Sequence, residues 1–164
     1  MTTTATVTER AGKYLTFGLG NEDYGLEILK VREIMGMLHI TSVPNTPYHV
    51  KGVVNIRGKV IAIVDLRSKF NMPETEYTDQ TCIIVVCVGD VEVGIIVDRV
   101  CEVKDIAEEE IEDAPELGTD IDSTNILGMS KAGGKVTILL DIEKVLGVSE
   151  AGGFGGGGDF LAEG

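Results

Sequence analysis

The second half of the chain repeats the first, and this repeat restricts the fold more than any other feature of the sequence. The segment that begins at Gly25 aligns with the segment that begins at Gly94, an offset of 69 positions. Further along, Gly52 aligns with Gly128 at an offset of 76, because the second half carries an inserted acidic stretch. The repeat predicts two related lobes with one seam between them and several similar outer faces. Such a chain is suited to contacting more than one partner rather than to enclosing a catalytic pocket.

Short apolar segments separated by turn residues predict about five strands in each repeat. The predicted strands are 14–19, 24–28, 35–42, 50–56 and 60–64, and then 82–88, 91–97, 100–106, 126–130 and 136–140. A single helical turn is predicted over 29–33, and short helices over 66–70 and 141–146. We therefore expect a mostly β fold with two small closed barrels. The strands 60–64 and 83–86 are apolar on both faces, so we expect the second face of each to lie against the other lobe.

The repeat and the composition also predict the domain limits. The prediction is a flexible N-terminus over 1–12, one domain over 13–147 and a flexible glycine-rich tail over 148–164. Within the domain, lobe one covers about 13–80 and lobe two about 81–147, and exchange of strands between the lobes stays open.

The charge of the chain is concentrated in one place. The formal net charge is −13, and residues 105–122 contribute nine carboxylates and no Lys or Arg, so the rest of the domain is close to neutral. Nucleic acid is a poor partner for such a chain, since phosphate binding needs a basic surface. The acidic stretch is either a solvated loop or a surface that faces a partner. With no long apolar run and no secretory signal, the expected location is the cytoplasm.

The residues that usually carry chemistry do not form a known pattern here. Cys82, Cys87 and Cys101 lie in apolar segments, which predicts buried thiols. There is no CxxC pair, and His39 and His49 lie far from the cysteines in sequence, so no metal site and no cofactor are expected. The motifs of serine hydrolases, zinc proteases and nucleotide-binding enzymes are missing too, which predicts a protein without catalysis. The alternatives are a small hydrolase or ligand-binding barrel, which would need a convergent polar site, and a structural oligomer that pairs through strand edges.

One polar pair distinguishes the first repeat from the second. Glu33 and Arg57 correspond to Glu102 and Gly133, so only the first repeat can form the pair. An arginine–carboxylate fork can brace two strands and shape a binding surface. The other interpretation is an ordinary surface ion pair of little energetic value.

Long segments in fixed order resemble the CheW family of chemotaxis coupling proteins. The resembling segments are 13–17, 24–34, 43–47, 51–58, 60–67, 94–98, 110–116 and 138–144. The resemblance implies two five-stranded SH3-like barrels, short helices and an adaptor without catalysis. It also implies two partners: the cytoplasmic tip of a chemoreceptor (a methyl-accepting chemotaxis protein) and the regulatory domain of the histidine kinase CheA. The adaptor would then be cytoplasmic and recruited to membrane-associated receptor arrays. A coupling-type scaffold of another chemosensory-like pathway is the alternative.

The same resemblance implies which residues bind each partner. The receptor-binding residues would be Val31, Glu33, Arg57, Val100 and Val103. The kinase-binding residues would be Met37 and Ile40 in the first lobe and Leu117 after the acidic run.

Overall fold

The strands of the fold follow the alternation and the turn signals of the sequence. A computed structural model describes residues 10–113, 125–131 and 134–147. Its strands are β1 Gly12–Leu19, β2 Glu22–Glu27, β3 Val31–Gly36, β4 Val50–Ile56, β5 Lys59–Asp65, β6 Cys82–Val88, β7 Val91–Val97, β8 Arg99–Ile106, β9 Ile111–Glu112, β10 Ile126–Ser130 and β11 Thr137–Leu140. The helices are α1 Leu66–Lys69 and α2 Ile142–Leu146, with 3-10 turns at Ile28–Lys30 and Glu108–Glu110.

The predicted strand over 35–42 was wrong. The strand starts earlier, at Val31, and residues 37–40 have no regular structure. A 3-10 turn over Ile28–Lys30 ends immediately before the strand, so the helical turn predicted over 29–33 also lies too far along the chain. The register of β3 against β6 then shifts between Val31 and Glu33, and this bulge interrupts the alternation on which the prediction depended.

The strands form two sheets, and each sheet takes strands from both repeats. The six-stranded sheet has the order β8-β1-β2-β11-β10-β9, and the five-stranded sheet has the order β3-β6-β7-β5-β4. In both, a hairpin from one repeat joins a hairpin from the other through a parallel pair, β2 with β11 and β5 with β7. The limits of about 13–80 and 81–147 therefore describe the sequence repeat and not the sheets, which exchange strands.

Each sheet closes into a barrel at an equivalent place. In the five-stranded sheet, Thr41 follows β3 and pairs with Val53 of β4, at the other end of the sheet. In the six-stranded sheet, β9 follows β8 and pairs with the far strand β10. The sixth strand is thus the returning end of β8, and the prediction of two five-stranded SH3-like barrels with short helices is confirmed.

The irregularities of the sheets repeat as well. The bulge in β3 has its counterpart in β8. There Leu15 pairs with Val103 and Phe17 pairs with Val100, so β8 has one residue more than β1 between the two pairs. The register shift near the start of β4 has its counterpart near the start of β10. Because bulges bend and twist strands in a set direction, the two barrels share their distortions and not only their strand order.

The main hydrophobic core lies between the two sheets. This interlobe core is the largest of three apolar clusters in the described residues, and stacked rings of Phe17 and Tyr24, with centroids 5.8 Å apart, lie within it. Strand β6 supplies Ile84 to this core and Ile83 to the separate interior of the five-stranded barrel. Strand β6 is therefore buried on both faces, and its second face lies against the other lobe, as the sequence predicted. In β5 the pattern holds except at Val60, whose side chain is exposed.

The two α-helices follow β5 and β11 at equivalent positions and begin with the same cap. The carboxylate of Asp65 accepts a hydrogen bond from the backbone N–H of Arg67, and Asp141 accepts one from Lys144. The second helix ends at Gly147, which has a φ of 71° as the sequence predicted.

The cysteine prediction was wrong in part. Cys82 and Cys87 are partly buried, but Cys101 is exposed. It lies in β8, an edge strand whose middle residues are exposed, so an apolar sequence neighbourhood did not mean burial.

Candidate protein interaction surfaces

Strands β3 and β8 are equivalent in the repeat, and each is an edge strand of its sheet. Strand β3 pairs only with β6 inside its sheet, and β8 pairs only with β1. An edge strand presents unpaired backbone groups and side chains to a partner. Two equivalent edges that carry most of the predicted receptor-binding residues therefore form one candidate surface, which we call the paired-edge surface and define by Val31, Glu33, Ile34, Val100 and Val103.

The apolar residues of this surface occur in equivalent pairs. Val31 and Val100 are half-buried, and both pack against the interlobe core. Farther along each strand, the side chains of Ile34 and Val103 are 42% and 50% exposed. Each pair is separated by the same 69 positions as the repeat. Ile34 was missing from the predicted site, although its alignment with Val103 was a signal that could have found it.

Glu33 and Arg57 form the ion pair that the sequence suggested. Arg57 donates from Nη1 and Nη2 to the two carboxylate oxygens of Glu33, over 3.2 and 2.5 Å. These hydrogen bonds lower the pKa of the Glu33 carboxyl below its usual value. The fork joins β3 to the turn between β4 and β5. Arg57 has a positive φ of 51°, a backbone conformation that residues other than glycine seldom adopt.

A second ion pair network lies beside this fork, and the sequence reasoning missed it. Glu92 in β7 forms ion pairs with Arg32 of β3 at 3.3 Å and with Lys59 of β5 at 3.0 Å. It therefore connects the adjacent strand β5 to β3, which lies beyond β6 in the sheet. Both networks line a cleft of about 340 Å³ whose apolar wall includes Ile61 and Val85. Sequence spacing could not find this network, because its three residues come from three strands far apart in the chain.

The predicted kinase-binding residues of the first lobe lie after β3. Met37 and Ile40 are partly buried and pack against the interior cluster of the five-stranded barrel. Leu38, between them, is 41% exposed. The segment is held by the bridge from Thr41 to β4 that closes the barrel. Leu117, the third predicted residue, lies outside the described residues.

Nothing in the described ranges gathers ligands for a metal ion. Within residues 10–113, 125–131 and 134–147, no group of three or more His, Cys, Asp or Glu side chains is placed as a metal would need. Over the same part of the chain, no helix has the length and the apolar character to cross a membrane. The features that stand out are surfaces and ion pairs.

Comparison with known proteins shows to which family the chain belongs. The family model described as CheW-like domain matches residues 13–150. The chain belongs to the CheW family. The match includes both repeats, so the paired-edge surface and the fork between Glu33 and Arg57 lie inside the CheW-like domain.

Individual CheW proteins match over nearly their whole length. The chemotaxis protein CheW of Klebsiella aerogenes is 42% identical over 151 residues, which cover 89% of this chain and 91% of that protein. The chemotaxis protein CheW of Bacillus subtilis is 34% identical over 134 residues, with 82% of this chain and 86% of that protein covered. The crystal structure of the scaffolding protein TtCheW from Thermoanaerobacter tengcongensis superposes with a TM-score of 0.78 at 34% identity, and covers 84% of this chain and 93% of that one.

Proposed function

We propose that this chain is a non-catalytic adaptor that couples the cytoplasmic tips of chemoreceptors to the histidine kinase CheA. The observation that carries the proposal is its membership of the CheW family across both repeats. Two separate surfaces with apolar residues, the paired edges and the segment after β3, agree with a protein that holds two partners at once. The adaptor works in the cytoplasm and is recruited to receptor arrays at the membrane.

The receptor binds the paired-edge surface. A receptor tip is a hairpin of helices, and an amphipathic helix binds through apolar anchors laid into a groove or along an edge. Val31 and Val100 supply the partly buried base of that surface, while Val103 and Ile34 supply its exposed part. The fork between Arg57 and Glu33 keeps the first edge in shape and adds polar groups at the rim.

The kinase binds the segment that follows β3, through Met37 and Ile40, and a second region at Leu117. Met37 and Ile40 rest on the barrel interior, so their positions depend on the closed barrel rather than on a free loop. Met37 packs on the five-stranded barrel and Val103 lies in the six-stranded sheet, so substitutions at the two positions test the two partners one at a time.

The experiment is a co-sedimentation assay with receptor signalling fragments on vesicles and purified CheA. We expect CheA to sediment with the vesicles only when the full chain is present. Val103→Asp should remove the chain and the kinase from the vesicles but leave binding to CheA in solution intact. Met37→Asp should leave the chain on the vesicles and lose the kinase.

Val136→Asp is the matched control for Val103→Asp, since its side chain is also an exposed valine, 43% accessible, but lies near the start of β11. It should behave as the wild type in both arms. Normal receptor binding by folded Val103→Asp would overturn the receptor assignment, and normal kinase binding by folded Met37→Asp would overturn the kinase assignment. Failure of the wild-type chain to bind either partner would overturn the proposed function.

A further inference from the structure

A partly buried ion pair connects the two sheets on one side of the molecule. Arg67 of α1 donates from Nε and Nη2 to the two carboxylate oxygens of Asp98, over 2.9 and 2.7 Å. The side chains are 16% and 23% exposed. The Asp98 carboxylate also accepts a hydrogen bond of 2.7 Å from the backbone N–H of Gly20, in the β1–β2 turn of the six-stranded sheet. Through Asp98, Arg67 of the helix that follows β5 is thus linked to the β1–β2 turn of the six-stranded sheet.

A second ion pair of the same kind also connects the two sheets. Lys30 donates from Nζ to a carboxylate oxygen of Glu143 in α2, over 2.8 Å, and both side chains are about one-third exposed. Glu143 also accepts a hydrogen bond from the backbone of Gly89, in the β6–β7 turn. Glu143 of the helix that follows β11 is thus hydrogen-bonded to the β6–β7 turn of the five-stranded sheet.

The two pairs use equivalent helix and turn positions with opposite charges on the helices, although their other members are not equivalent, because Lys30 aligns with Arg99, one residue after Asp98. Arg67 aligns with Glu143 at the offset of 76, and Gly20 aligns with Gly89 at the offset of 69. On one side the helix carries the cation and the connection between sheets carries the anion; on the other side the signs are reversed.

Both pairs lie at the start of an edge strand. Lys30 immediately precedes Val31, the first residue of β3. Asp98 lies between β7 and β8, two residues before Val100, and its backbone N–H donates to the carbonyl of Gly18 over 3.1 Å. Each pair thus fixes the point at which the chain passes from one sheet to the other and enters the paired-edge surface.

We propose that the Arg67–Asp98 and Lys30–Glu143 pairs are positioning pairs for receptor binding: they hold the two edge strands in the relative placement that a receptor tip recognises, without contacting the receptor. This inference depends on the proposed function, because it assigns a role to residues beneath the same surface. Loss of one pair leaves the apolar side chains present but shifts one edge relative to the other.

The test compares receptor and kinase affinities of the full-length chain and its variants. Arg67→Ala should lower the affinity for a receptor signalling fragment by about threefold to tenfold, the range in which residues remote from a ligand alter its binding. Affinity for the CheA regulatory domain should stay within about twofold. The double variant Arg67→Asp with Asp98→Arg should recover receptor affinity, because it restores the pair with its charges exchanged. Lys30→Ala disrupts the more exposed pair and should also lower receptor affinity. It replaces Arg67→Ala in the test if that variant does not fold.

A control variant that is destabilised to an equal or greater extent distinguishes a positioning role of the pairs from a purely structural role. Leu139→Ala removes a buried side chain from the small interior cluster of the six-stranded barrel, away from both pairs. It should lower the unfolding midpoint and leave receptor affinity unchanged. Wild-type receptor affinity in both Arg67→Ala and Lys30→Ala, or an equal loss in Leu139→Ala, would overturn the inference while the proposed function stands. Failure of the wild-type chain to bind the receptor would overturn the proposed function and the inference with it.

Discussion

Arg57 shows at the scale of one residue how a surface can be shaped at a cost to the backbone. Its φ of 51° lies in the left-handed region, where a Cβ atom is unfavourable and glycine is not. Its guanidinium holds the Glu33 carboxylate in a two-point fork at the end of the paired-edge surface. A residue that strains the chain and makes a specific surface contact is typical of a functional position.

Replacement of Arg57 by glycine should separate function from stability. Arg57→Gly relaxes the turn and removes the fork, so we expect an unfolding midpoint equal to or above that of the wild type and a several-fold lower affinity for the receptor fragment. Denaturant unfolding and receptor titration measure the two effects. Asn71→Gly, which relaxes a φ of 58° elsewhere, is the control and should leave receptor affinity unchanged. Unchanged receptor binding by Arg57→Gly would show that the fork is only a surface ion pair.

The sequence predicted some residues of the candidate site and missed others. The fork was predicted because Arg57 stands out against the second repeat, where Glu102 retains the glutamate but Gly133 replaces the arginine. Ile34 was aligned with Val103 but not included in the site, and Glu92 carried no local signal because its partners Arg32 and Lys59 meet it only in the folded sheet. Interactions that depend on three strands coming together cannot be found from spacing along one.

At the scale of elements, the closure of each barrel depends on a glycine. A Cβ atom at Gly52 would lie 2.1 Å from the carbonyl oxygen of Thr41, and the φ of 144° at this position is one that few other residues adopt. At the equivalent Gly128, a Cβ would lie 2.8 Å from the carbonyl oxygen of Glu112. The closing contact that positions Met37 and Ile40 therefore has no room for a side chain.

Gly52→Ala should damage the kinase-binding segment specifically. The added methyl must push Thr41 away, so we expect a loss of roughly 2 kcal/mol in the free energy of unfolding and weaker binding to CheA, with receptor affinity retained. Gly58→Ala is the matched control: its φ is also positive, at 87°, but its Cβ would meet nothing within 4 Å. It should be mildly destabilised with normal kinase affinity. Equal effects of the two variants on kinase binding would contradict the role of the closure.

The two ion pairs between the sheets give the fold a defined response to acid. The side-chain hydrogen bonds from Arg67 lower the pKa of the Asp98 carboxyl below its ordinary value, and the hydrogen bond from Lys30 lowers the pKa of the Glu143 carboxyl in the same way. A carboxylate whose pKa is lower in the folded state adds stability above its unfolded pKa, and that stability disappears as the pH falls through the folded value.

We therefore expect the free energy of unfolding to fall as the pH decreases below about 4.5. Asp98→Asn should be less stable than the wild type at pH 7 and should lose less on acidification, so the two curves approach one another. Urea unfolding at a series of pH values measures both. A constant difference between wild type and Asp98→Asn down to the lowest pH would contradict the contribution of this pair.

Most elements could be predicted because their signals are local. Strands β4, β6, β7 and β10 match the prediction to the residue, since each is an apolar segment that ends at a turn or loop. Strand β3 was misplaced because a 3-10 turn and a bulge replace alternation at its start. Strand β9 was missed, since two residues carry no period.

At the scale of the whole molecule, the exchange of strands decides how the two lobes depend on each other. The five-stranded sheet combines a hairpin of the second repeat with three strands of the first, and the six-stranded sheet combines a hairpin of the first repeat with four strands of the second. The sequence could predict two barrels but not the exchange, because equivalent strands are equally apolar and either pairing buries them.

Neither half of the chain should fold alone as a monomer. Fragments covering 10–80 and 81–147 each lack strands from both sheets, so we expect each to show little cooperative unfolding by circular dichroism. Mixed together, they should form a one-to-one complex with a single transition. A cooperative unfolding transition in the isolated monomeric 10–80 fragment would contradict the exchanged pairing.

The central claim is that this chain makes a histidine kinase responsive to a receptor. The most direct measurement is the rate of CheA autophosphorylation with receptor signalling fragments on vesicles, in the presence of the wild-type chain, Val103→Asp or Met37→Asp. We expect the rate to depend on the receptor only with the wild-type chain, and each variant to abolish this dependence by losing a different partner. A rate that depends on the receptor without the chain, or that is unaffected by adding it, would show that the chain does not couple the two proteins.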